Sequence, residues 1–192
     1  MPAVNPFEQL LRGLEGAGLW RDVSADRTSA LLRGLMAGQD AMWSSGGAWS
    51  ADGEDLADGE VEDWLRGMTE PLSDCGVHLV VTTCSSPYDH RLDSYTVKVN
   101  GETLDLYFFD PADSTLPLAY DPWLDCTIKP AAEVNRLLLA AGSDCRLAVF
   151  WPGGNDGFSV LGPESVLREA ALAIQAAADV SAFVVPRPTS WG

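Results

Sequence analysis

Lysine is nearly absent from this chain. Lys98 and Lys129 are the only two in 192 residues, and Lys and Arg together number 12 against 28 acidic residues, a net charge of −16. Nucleic-acid binding is therefore not expected, because displacing counterions from phosphates needs basic side chains. The same charge argues against an anionic membrane surface. Histidine is also scarce, with only His78 and His90. A metal site would have to rely on carboxylates or thiolates, and no ligand spacing recommends one. The four cysteines (Cys75, Cys84, Cys126, Cys145) show no C-x-x-C pair and are too scattered for a disulfide framework. They are expected as reduced, mostly buried thiols. No metal and no cofactor are predicted.

Other absences narrow the chemistry further. No apolar stretch approaches the ~20 residues of a membrane span. Met1–Asn5 lacks the basic start and apolar run of a signal peptide, so a cytoplasmic location is expected. There is no G-x-S-x-G elbow. The glycine-rich stretch Gly153–Gly157 lacks the Lys-Ser/Thr ending of a phosphate loop and joins two predicted strands, so a hairpin turn explains it better. The acidic run from Asp52 places Leu56, Ala57 and Asp63 where a calcium loop wants an oxygen ligand, glycine and glutamate, so calcium is not predicted. Cys84 and His90 are the one close Cys–His pair, with Asp89 and Asp93 as paper orienters. A structural role for Cys84 is the simpler expectation, and His78 reads as a satisfied core or interface histidine. Carboxylate pairs such as Asp121 and Asp125 keep glycoside hydrolysis open by residue type, but pairs arise by chance among so many acids.

What is present is concentrated between Gly34 and Leu65, which contains no Lys or Arg. This segment holds Trp43, Trp49 and Trp64, a glycine–serine patch at 44–47, and seven carboxylates from Asp52 to Asp63. Exposed tryptophan and unscreened like charge are both costly in water, so such a segment is either covered or a surface for a partner. Tyr120–Asp125 repeats the theme with Trp123 framed by acids.

Periodicity and turn chemistry predict the elements. Asn5 caps a helix that starts at Pro6 and is stopped by Gly16 and Gly18, and Ser24 caps a second ending near Gly38, together a helical hairpin. Residues 38–57 read as a long polar connection. A third helix is predicted from Asp58 to Leu72, with Asp58 and Glu60 at its positive end and Val61, Trp64, Leu65 and Met68 on its apolar face. A strand follows at His78–Thr83, then the clearest local signal, Tyr95–Val99 and Glu102–Phe109 around Asn100-Gly101. Val97, Val99, Leu104, Leu106 and Phe108 are expected to face the core. Residues 110–129 read as a connection, Pro130–Ala141 as a helix, Arg146–Trp151 and Phe158–Leu161 as strands, Pro163–Ala178 as the last helix, and Phe183–Val185 as an edge strand.

The expected architecture is α+β: a single antiparallel sheet of about five strands, helices packed mainly on one face, and an N-terminal helical hairpin in front. Residues 1–192 are expected as one domain, mainly helical over 1–72 and sheet-containing over 77–185.

Charge, size and the lack of a catalytic motif point to a non-catalytic protein that captures a basic partner. In those three respects the chain is similar to the immunity proteins that bacteria pair with their toxins. The excess of arginine over lysine fits a GC-rich bacterial coding sequence. Trp43, Trp49, Asp52, Glu54, Asp55, Trp123 and Asp125 are the predicted partner contacts, with aromatics as anchors and acids for a partner's Lys or Arg. Two other expectations stand beside this one: a secretion or effector chaperone, and a small hydrolase using carboxylates or Cys84.

Overall fold

The helical hairpin forms where its caps predict. In the computed structural model, which describes residues 6–37, 40–43, 46–86, 93–109, 121–150, 157–177, 183–184 and 186, α1 spans Pro6–Gly16 and α2 spans Ala25–Met36. The Ser24 hydroxyl accepts a bond from the Arg27 N–H (3.4 Å) at the start of α2. Asn5, the expected cap of α1, lies outside the described residues.

The single sheet is not what forms. The described strands divide into two separate antiparallel sheets, and the fold remains α+β. The first sheet is built on β2 (Gly46–Ser50), β7 (Phe158–Pro163) and β6 (Cys145–Phe150), in that order. Short pairings extend its two edges, β1 (Ala41–Trp43) beside β2 and β8 (Phe183–Val184) beside β6. The second sheet is the meander β3 (Val81–Ser85), β4 (Asp93–Val99), β5 (Glu102–Phe109). Strand β2 lies in the stretch expected to be a loop. It pairs with β7 through Gly47–Leu161, Ala48–Val160, Trp49–Ser159 and Ser50–Phe158, a long-range partnership that local sequence does not announce.

Helices on one face are also corrected, because the first sheet is covered on both. One face carries Trp49, Leu147, Val149 and Leu161 into a core shared with the second sheet and α6 (Pro122–Ala140). The other carries Ala48, Ala148, Phe150 and Val160 against α1 and α7 (Glu164–Ala177). The unbroken apolar run Leu147–Phe150 is what a strand buried on both faces requires.

The Asn100-Gly101 hairpin forms as expected, with φ of 50° and 87° at the two turn residues. Its far end departs from simple alternation. Tyr95 pairs with Tyr107 and Thr96 with Asp105, so Leu106 is an extra residue in β5. The bulge keeps Leu104 and Leu106 inside but turns Phe108 out, 55% exposed, contrary to expectation. Lys129 Nζ donates to the carbonyls of Asp105 (2.9 Å) and Leu106 (2.8 Å) at the bulge.

Helix α6 starts at Pro122 rather than Pro130. The Asp121 carboxylate accepts from the Leu124 N–H (3.1 Å), Pro122 takes the first turn, and Pro130 sits in the helix interior. His78 and Cys84 are exposed, not buried, and the turn at 153–156 lies outside the described residues.

Candidate functional site

The acidic segment folds as a kinked helical arm. Asp52 is its N-cap: one carboxylate oxygen accepts from the N–H groups of Glu54 (2.9 Å) and Asp55 (3.4 Å) and opens α3 (Gly53–Asp55). A wide turn over Leu56–Glu60 follows, with Gly59 at φ 120°, then α4 (Val61–Gly67) and α5 (Thr69–Asp74). The third helix thus begins earlier than its expected start at Asp58, and Glu60 precedes α4 rather than serving its first turn.

Gly59 interrupts the helical hydrogen bonds, and two tyrosines of the second sheet repair the gap. The Tyr95 hydroxyl donates to the Gly59 carbonyl (2.7 Å) and accepts from the Val61 N–H (3.1 Å), while the Tyr107 hydroxyl donates to the Ala57 carbonyl (3.0 Å). Their rings meet edge to face at 6.0 Å. We predict that Tyr95→Phe, which leaves both backbone groups without this partner, costs about 1–3 kcal/mol in urea denaturation. Burial pushes the Tyr95 hydroxyl up to about 12. Above pH ~10 the unfolded chain releases this proton while the folded chain keeps it, so wild-type stability falls as pH rises towards 12. The phenylalanine variant lacks that component. The stability gap between the two proteins should therefore narrow across this range, and a constant gap would refute the assignment.

Glu62 has a separate structural task. It accepts from the Thr83 N–H (2.6 Å) and pairs with Arg66, tying α4 to β3. A side-chain hydrogen bond with Thr83 is the main reason its carboxyl is held below the ordinary value, with the Thr83 N–H and Arg66 acting in the same direction.

Four other acids of the arm, joined by Asp40, converge on a cleft of about 250 Å³ between the arm and β2. Asp40, Asp52, Asp55, Glu60 and Asp63 line it, together with Trp49 and Trp64. Among the described residues none of these five carboxylates forms an ion pair with Lys or Arg. Both indole N–H groups are engaged within the fold. Trp49 donates to the Gly67 carbonyl (3.1 Å), and Trp64 donates to the Ser159 hydroxyl (3.2 Å). Ser50 apart, the lining side chains therefore present acceptors and hydrocarbon, a combination that suits an ammonium or guanidinium group.

The predicted contacts fall in different places. Trp49 is 3% exposed and belongs to the core, so it contributes a wall of the cleft rather than a protruding anchor. Trp43 ends β1 with its backbone opposite Gly46, and its side chain lies outside the described residues. Asp52 caps a helix while also lining the cleft. Glu54 and Asp55 are exposed. Trp123 sits in the first turn of α6, 43% exposed beside Leu124 at 45%. Asp125 is engaged by Lys129 (3.0 Å).

The structure does bring the two acidic–aromatic segments together. A Cβ added to Gly53 would lie 2.9 Å from the Trp123 Cβ, so α3 rests directly on the start of α6, an approach only glycine permits here. Asp40, Glu60, Asp63 and Trp64 line the cleft without being among the predicted partner contacts. No local pattern marks Asp40, which reaches the cleft because its carboxylate accepts from the Ser50 N–H (3.1 Å) across the β1–β2 hairpin.

Of the Cys84–His90 pair, His90 lies outside the described residues, and Cys84 is exposed and does not line the cleft. No group of three or more metal-ligating side chains occurs among the described residues, and none of their helices is long and apolar enough to cross a membrane. No protein-family model matches the chain, and no curated protein or solved structure matches it.

Proposed function

We propose that the protein is a non-catalytic binding protein that captures a basic partner protein, in the manner of a bacterial toxin inhibitor. The observation that carries this is the cleft of five carboxylates without a basic counterpart among the described residues, walled by tryptophans whose donors are already engaged. A lysine or arginine side chain from the partner would enter it. Trp123 and Leu124, held against the arm at Gly53, supply an exposed apolar contact beside it. The net charge of −16 supports rapid attraction of such a partner from a distance. Four free cysteines fit a reducing compartment, and we assign the protein to the cytoplasm on that basis.

The test is quantitative capture from the native host at roughly 50 and 200 mM salt, with the Debye length shrinking between them. A captured protein of basic charge is expected, with association slowing at least several-fold at the higher salt and dissociation nearly unchanged. An acidic partner, or binding indifferent to salt, would reject the proposal.

A further inference from the structure

Away from the cleft, two of the cysteines are not scattered at all. Cys75 forms the C-terminal cap of α5, its N–H donating to the carbonyls of Pro71 (3.2 Å) and Leu72 (3.1 Å). Cys145 opens β6. Cys75 packs against the core cluster that contains Cys145, and a Cβ on Gly76, next to Cys75, would stand 3.7 Å from the Cβ of Ala141 at the end of α6. The two thiols neighbour each other and the Ser143 side chain, each thiol being the largest influence on the other's pKa, and the Cys145 Sγ also donates to the Asp144 carboxylate (3.8 Å). Ser143 is itself fixed, its hydroxyl accepting from the Cys145 N–H (3.1 Å) and its own N–H donating to the Leu138 carbonyl (3.0 Å). Cys145 is buried at 5% exposure, while Cys75 is half-buried and packs on the same core.

We propose that Cys75 and Cys145 are a redox-active pair that closes to an intramolecular disulfide by exchange with a low-molecular-weight disulfide. The roles follow from accessibility and from the effect of each thiol on the other. Cys75 is the sulfur that a solvent-borne disulfide can reach. The neighbouring Cys145 side chain and, after it, Ser143 hold its pKa below the ordinary value against burial and the charges of Asp74 and Asp144. The neighbouring Cys75, with burial, raises that of Cys145.

In the first step the Cys75 thiolate attacks one sulfur of the small disulfide RSSR. The S–S bond breaks, one RS⁻ leaves, and a mixed disulfide remains on Cys75. In the second, Cys145 attacks the Cys75 sulfur, the bond to RS breaks, and the Cys145 proton leaves with the second RSH. The two protein thiols are oxidised by two electrons and RSSR is reduced to two RSH. The new bond would join the end of the helical arm to the first sheet. This proposal rests on the thiol pair alone and is independent of the partner-binding proposal.

The experiment uses the full chain carrying Cys84→Ser, which removes the exposed thiol. It is equilibrated with oxidised and reduced glutathione, alkylated, and mapped by mass spectrometry without reduction. The expected result is loss of two thiols per chain, with the Cys75 and Cys145 peptides linked and Cys126 still free. With Cys145→Ser added, a stable glutathione adduct should accumulate on Cys75. With Cys75→Ser added, neither product should form. A lasting glutathione adduct on Cys75 with Cys145 still present, or no loss of either thiol, overturns the proposal. The chain with both cysteines decides the matter by itself if a serine variant fails to fold.

Discussion

Trp49→Ala should lower the stability of this protein by about 3–5 kcal/mol, the usual cost of deleting a buried large aromatic. Typical native proteins have only about 5–15 kcal/mol in total, so the loss is a large fraction of what holds the chain together. The reason lies in the number of elements the side chain joins. It projects from β2, is 3% exposed, packs with α4 and the shared core, and donates to the Gly67 carbonyl at the end of α4 (3.1 Å). Removing it opens a cavity and strips that carbonyl of its partner in one change. Trp49→Phe, which keeps most of the ring contacts, should lose the hydrogen bond and some volume, for about 1–2 kcal/mol. Urea denaturation of the two variants checks both values. A loss below about 1 kcal/mol for the alanine variant would be the behaviour of an exposed recognition residue and would contradict its place in the core.

The second large effect is on binding. The combined change Asp55→Asn, Glu60→Gln and Asp63→Asn removes three charges from the cleft while leaving its shape nearly intact. Asp52 is kept, because its carboxylate caps α3 and its loss would cost about 1 kcal/mol of stability for reasons unrelated to binding. Association with a basic partner at low salt should slow by about tenfold or more, as expected when a steering field is weakened. The salt dependence should flatten at the same time. Thermal stability should stay within about 1 kcal/mol, because relief of repulsion among the cleft acids offsets the weakened helix-dipole contacts of Asp55 and Asp63. Stopped-flow association rates test this directly. An unchanged rate at low salt would remove the cleft from the binding surface and leave the acidity a matter of solubility.

Much of the local structure was legible. Ser24 and Asn100-Gly101 each carry their instruction within a few residues, and each produces the element expected. Asp121-Pro122 was legible too, as a cap followed by proline at the first turn. It was passed over because Pro130 offered a competing helix start and the segment was rich in loop residues. The β1–β2 hairpin was less accessible. Gly46-Gly47-Ala48 has little strand propensity, and it becomes strand because β7 supplies the hydrogen bonds.

The candidate site divides along the same line. Sequence alone determined that the cluster of acid and tryptophan without a cation lies between Gly34 and Leu65, that the chain is strongly negative, and that a second acidic–aromatic segment surrounds Trp123. These follow from composition, which folding does not alter. Tertiary structure decided which members face outward. It buried Trp49 in the sheet, gave Asp52 to a helix cap and Asp125 to Lys129, and brought Asp40, Glu60 and Asp63 to one cleft. It also placed Trp123 on Gly53. The physical reason is that exposure and pairing are properties of contacts between residues distant in the chain. Here they depend on β2 finding β7 and on two tyrosines of the second sheet holding the arm at its kink.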